Sequence, residues 1–112
     1  MKRMLAIACL ATVSAVALAP GSPAAPPVYR GTVGPGFTIT LAKKPTRAGK
    51  VKIVVADRSS SHNFHLTGPG VNVTTSVRGT GTKTFTVTLK KGTYRYVCDP
   101  HASFMRGSFR IR

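Results

Sequence analysis

Four stretches of this 112-residue chain alternate apolar and polar residues with a period of two, and that alternation most constrains the fold. Phe37, Ile39 and Leu41 share one parity, with Thr38 and Thr40 between them; Val51, Ile53 and Val55, then Phe85, Val87 and Leu89, then Tyr94, Tyr96 and Cys98 repeat the pattern. Side chains alternate faces along a strand, so each stretch buries one face and wets the other. Shorter segments at His62 to Leu66, Val71 to Val77, and Phe109 with Ile111 read as further strands, separated by Pro45, Gly49, Gly68-Pro69-Gly70 and Lys90-Lys91-Gly92 as turns. No segment after the first 25 residues carries a helical period of useful length. Six or seven short strands in about ninety residues predict an all-β sandwich or barrel, mostly antiparallel, whose core includes the residues above and Phe64.

Residues 1–25 read as a secretory signal, with a basic start at Lys2 and Arg3 and an uncharged run from Leu5 to Ala19. About fifteen residues is too short to span a membrane comfortably, which takes roughly twenty. Cleavage is expected between residues 18 and 25, and the destination is outside the cytoplasm: periplasm, cell envelope or medium. Residues 26–36, rich in Pro and Gly, read as a linker and a first edge strand around Val28 to Val33, and residues 37–112 as the domain. Cys9 leaves with the signal, so Cys98 remains unpaired and no intramolecular disulfide is expected.

Seventeen Lys and Arg face only two acids, Asp57 and Asp99, giving +15, which falls to +13 without Lys2 and Arg3. Such a field favours acidic proteins, anionic envelope polymers or membrane surfaces as partners, and its self-repulsion favours a monomer. Nucleic acid is not expected, because no basic run interleaved with aromatics occurs.

The chemistry concentrates in Val97 to Gly107, where a thiol (Cys98), an imidazole (His101) and a thioether (Met105) lie within eight residues, between two strands. Pro100 stiffens the turn between Cys98 and His101, and Gly107 lets the chain leave the loop. Soft Cys and Met donors beside a borderline His suggest copper, and Met is an unusual zinc ligand. Parity aims Cys98 inward with Tyr94 and Tyr96. The same rule puts His62 on the face of Phe64 and Leu66, and His65 on the opposite, solvated face, so His62 is the better fourth candidate. An enzyme with Cys98 as nucleophile and His101 or His65 as base is not expected, since the thiol points inward and no oxyanion donor set is evident.

His62-Asn63, followed by Gly92-Thr93-Tyr94-Arg95-Tyr96-Val97-Cys98-Asp99-Pro100-His101 and then Met105 with Gly107, resembles the small blue copper proteins, the cupredoxins of the plastocyanin, pseudoazurin and amicyanin type. The resemblance runs from Phe37 to Ile111. It implies a Greek-key sandwich of about six to eight strands and one type 1 copper, held by His62, Cys98 and His101 with Met105 as the long axial ligand. It also implies that Asn63 ties the two ligand loops together and that Tyr94 is the buried tyrosine before the Cys strand. The implied function is one-electron transfer to a redox partner protein, expected to be acidic, with Pro100, Ala102 and Phe104 around His101 as the docking face. The acidic partner patch frequent in the family is missing here. The alternative is a copper carrier or buffer that transfers no electrons.

Overall fold

A computed structural model describes residues 24–112, so the signal expected over residues 1–25 falls, through residue 23 and with Cys9, outside the described residues. Eight strands follow in order: β1 Val28–Val33, β2 Ile39–Leu41, β3 Gly49–Asp57, β4 His65–Gly68, β5 Val71–Thr74, β6 Gly81–Leu89, β7 Gly92–Val97 and β8 Arg106–Ile111. They form two four-stranded sheets, ordered β2-β1-β3-β6 and β5-β4-β7-β8. Every pairing is antiparallel except β1 with β3. Because β3 pairs with β6 and β4 with β7, the chain crosses between sheets as a Greek key does, and β2 beside β8 and β5 beside β6 bring the sheet edges together. This is the all-β sandwich the alternation predicts. No helix among the described residues is long and apolar enough to cross a membrane.

The two inner faces share one core in which Val51, Ile53, Val55, Leu66, Val87, Leu89, Phe109 and Ile111 are all buried. Two aromatic pairs bridge its middle, Phe64 stacked on Tyr96 at 5.5 Å and Tyr94 on Phe109 at 5.2 Å. Truncating a ring so placed, as in Phe64→Ala, costs about 3–5 kcal/mol by lost burial and the cavity left behind. The Tyr94 hydroxyl donates to the Pro69 carbonyl at 2.8 Å and accepts from the Lys90 amide at 2.9 Å, which fixes the turn that launches β7. Gly107 is required on β8, because any side chain there would collide with the Tyr96 ring opposite it.

Three expectations are corrected. Residues 28–33 are an interior strand, flanked by β2 and β3, and not a first edge. Their alternation is muted because Gly31 occupies a core-facing position beneath the Phe64 ring, where a Cβ would already sit 3.0 Å from a ring carbon. Phe37 is 66% exposed and outside the core, because the β1–β2 hairpin pairs Val33 with Ile39 and leaves Phe37 in its loop. Finally, β4 begins at His65, so His62, Asn63 and Phe64 precede the strand on which parity placed them. Phe85 and Ile39 are only partly buried, while Val33, Val71 and Met105 join the core.

Candidate metal centre

At one end of the sandwich, two loops meet: the segment entering β4 and the segment joining β7 to β8. The second is closed on itself by backbone hydrogen bonds. The Cys98 amide donates to the Met105 carbonyl at 3.0 Å, the His101 amide to the Cys98 carbonyl at 3.0 Å, and the Met105 amide to the His101 carbonyl at 2.8 Å. Pro100 sits in the first turn of the short 3-10 helix Asp99–His101, where its fixed φ suits the tight turn and its missing donor costs nothing. Cys98 and Met105 are thus held opposite each other at the neck of the loop, both buried.

The first loop is held by side chains. The Phe64 amide donates to the Thr75 hydroxyl at 2.8 Å, and the Thr75 amide returns a bond to the Phe64 carbonyl at 3.0 Å. The same hydroxyl donates to buried Asp57 at the end of β3, 3.3 Å away, so the opposite sheet anchors this loop. Asn63 then spans the gap between the loops: its side-chain oxygen accepts from the Asp99 amide at 2.7 Å, and its nitrogen donates to Asp99 Oδ2 at 2.8 Å and Thr74 Oγ1 at 3.0 Å.

With both loops fixed, three donor atoms converge. His62 Nδ1 and His101 Nδ1 lie 3.1 Å apart, and Cys98 Sγ lies 3.7 Å from the first and 3.5 Å from the second. The centre of that triangle is about 2.0 Å from each corner, the length of a bond between an imidazole nitrogen and a first-row metal ion. The residues therefore fit a metal: two imidazole nitrogens and one sulfur converge around a single point, each able to offer one ligand atom to the same ion. His62 and Cys98 are buried and His101 is half-buried. Met105 is buried beside them, its backbone bonded to Cys98 and His101. Two imidazoles and a sulfur form a soft, low-coordinate donor set of the kind that selects copper.

His65 lies outside this cluster. Its Nδ1 pairs with Asp99 at 3.0 Å and its Nε2 meets Asn72 Oδ1 at 2.6 Å. Burial pulls the His65 pKa down most strongly, yet the hydrogen bonds to Asp99 and Asn72 and the Asp99 charge outweigh it and raise the value above 6.5. Burial likewise pushes Asp99 upward, and bonds from His65 and Asn63 with the His65 charge bring it below 3.8. Two residues at the site are not visible by sequence reasoning. Phe37 packs its ring 5.3 Å from His62, 5.1 Å from His101 and 5.8 Å from Phe104, and Asp99 joins Asn63 to His65. The only sequence signal for Asp99 is its place directly after Cys98 as one of two acids in the chain.

Comparison with known proteins agrees with this chemistry. The sequence model described as copper binding proteins, plastocyanin/azurin family, matches residues 35–112. Among solved structures, reduced rusticyanin superposes with a TM-score of 0.58 at 24% identity, covering 76% of this chain and 78% of its own. A Met-to-Gln variant of amicyanin in its Cu(I) form gives 0.54 at 17% identity over 76% of this chain and 82% of its own. Auracyanin A, a blue copper protein from the green thermophilic photosynthetic bacterium Chloroflexus aurantiacus, gives 0.52 at 18% identity over 79% of this chain and all of its own. At such identities these structures speak to the fold alone. No curated protein sequence matches the chain.

Proposed function

The chain belongs to the plastocyanin/azurin family of copper-binding proteins, and from that premise we propose that it is a one-electron carrier whose copper is held by His62, Cys98 and His101, with Met105 as axial ligand. The observation that carries this reading is the triangle of Nδ1, Nδ1 and Sγ atoms, locked by the Asn63–Asp99 tie. A bound copper supplies the electron that is gained and lost. The protein's own contribution is to keep the donors still: a loop closed by its own backbone bonds and clamped to its neighbour resists the ligand movement that a change of oxidation state otherwise demands. Small reorganisation at the metal is what makes electron exchange fast.

The electron would leave on the side of His101, which is half-buried among Pro100, Ala102 and Phe104, all exposed. Phe37 and Phe104, 66% and 59% exposed, extend that face into an apolar patch beside both imidazoles. With a formal charge of +13 on residues 4–112, the favoured partner is an acidic redox protein, met outside the cytoplasm after removal of the signal segment. A copper buffer would need no such clamped geometry. Voltammetry of the copper-loaded protein separates the two readings: a carrier gives a reversible one-electron wave, and a buffer releases copper on reduction.

A further inference from the structure

The outward face of β7 and β8 carries a feature that the copper site does not use. Thr93, Arg95 and Val97 point outward on β7, and Arg106, Ser108 and Arg110 on β8, all exposed except half-buried Val97. The register sets Arg110 opposite Thr93, Ser108 opposite Arg95 and Arg106 opposite Val97. Arg95 therefore has Arg106 and Arg110 as its two diagonal neighbours, within reach of long side chains. Beside Arg95 and Arg106 lies a shallow basin of about 610 Å³, lined by these two with Thr93, Val97, Gly107 and Ser108 and bordered at the loop end by Ala102.

Three arginines share one small patch of sheet, and among the described residues no carboxylate pairs with any of them. The chain has only two acidic side chains. Asp57 is buried and bonded to Ser59 and Thr75, and Asp99 is engaged by His65 and Asn63. An anion from outside is the remaining source of compensating charge. The hydroxyls of Thr93 and Ser108, placed between the arginines, add neutral donors to the forks. A carboxylate offers two oxygens to this array, whereas a terminal phosphate offers three and matches the guanidinium fork in a bidentate way. Val97 and Ala102 give the loop end of the basin an apolar wall, where the organic part of a phosphate ester would lie.

We propose that the basin lined by Arg95 and Arg106, with Arg110 beside it on the same face, is a binding site for a phosphate group, distinct from the copper site. The test titrates pyrophosphate into the protein at constant ionic strength, followed by backbone amide shifts. Saturable shifts confined to residues 93–97 and 106–110 are expected, with affinity falling at least tenfold in the double variant Arg95→Gln, Arg106→Gln. Arg95→Lys, which keeps the charge and loses the fork, should weaken binding by several fold. Both arginines are exposed, so the variants should retain the wild-type shifts elsewhere. Sedimentation with phosphatidylglycerol vesicles, absent with phosphatidylcholine and lost in the double variant, would identify a lipid headgroup as the source; saturation by pyrophosphate without vesicle binding would identify a free phosphate compound. Shifts that do not saturate, that spread over all basic residues, that persist in the double variant, or that succinate reproduces at equal concentration would overturn the proposal.

Discussion

Asn63 and Asp99 exchange two hydrogen bonds across 36 residues of sequence: the Asp99 amide donates to Asn63 Oδ1 at 2.7 Å, and Asn63 Nδ2 donates to Asp99 Oδ2 at 2.8 Å. Each residue is next to a member of the donor triangle, His62 in one case and Cys98 in the other, so this contact sets the distance between the two loops. Asn63→Ala removes both bonds and that to Thr74, leaving the Asp99 amide without its partner. A loss of about 2 kcal/mol is expected in urea unfolding of the metal-free protein. A loss below about 0.5 kcal/mol would mean that the loops hold their places without this contact.

The His65–Asp99 pair gives that clamp a pH dependence. His65 has its pKa raised from 6.5, so its contribution to stability is complete below 6.5 and disappears as pH rises through the raised folded value. Asp99 has its pKa lowered from 3.8, so its contribution is complete above 3.8 and disappears as pH falls through the lowered folded value. The pair therefore stabilises most between 3.8 and 6.5. With the Asp99 side chain 51% exposed, water screens the interaction, and no more than about 0.5 kcal/mol is expected. The difference in unfolding midpoint between wild type and His65→Asn, both metal-free, should be largest near pH 5 and shrink above neutrality; a constant difference would show that His65 acts by packing alone.

The aromatic patch predicts a separation of effects. Phe37 and Phe104 are exposed, so Phe37→Ser and Phe104→Ser should change stability by no more than about 0.5 kcal/mol and leave copper binding intact. Electron self-exchange, which requires two copies to bring their His101 faces together, should slow at least tenfold in the double variant. Unchanged self-exchange would place the exit for the electron elsewhere on the surface.

The legibility of this molecule in its sequence follows where its forces are local. Alternation marked β3, β6 and β7 because each buries one face over several consecutive residues, and the same parity aimed Cys98 inward, where it is fully buried. It failed at Phe37 because a hairpin loop happens to continue the pattern, and at β1 because Gly31 makes room for Phe64 from the segment entering β4. His62 does lie beside Cys98 and His101, but strand parity is not what puts it there: residues 62–64 are positioned by Asp57, Thr75 and Asp99. Those contacts join distant parts of the chain, so residue spacing carries no trace of them. Cys98, His101 and Met105 could be grouped by eye only because one closed loop holds all three.

The visible spectrum after adding one equivalent of Cu(II) to the purified protein tests the central claim most directly. A thiolate bonded to Cu(II) beside two imidazoles gives an intense blue charge-transfer band, and that band should saturate at one copper per chain. It should be absent in Cys98→Ser and His62→Ala and persist in His65→Ala, because His65 lies against Asp99 and Asn72, away from the triangle of donors. A weak, broad absorption that is unchanged in Cys98→Ser, or an intense band that depends on His65 and not on His62, would contradict the account.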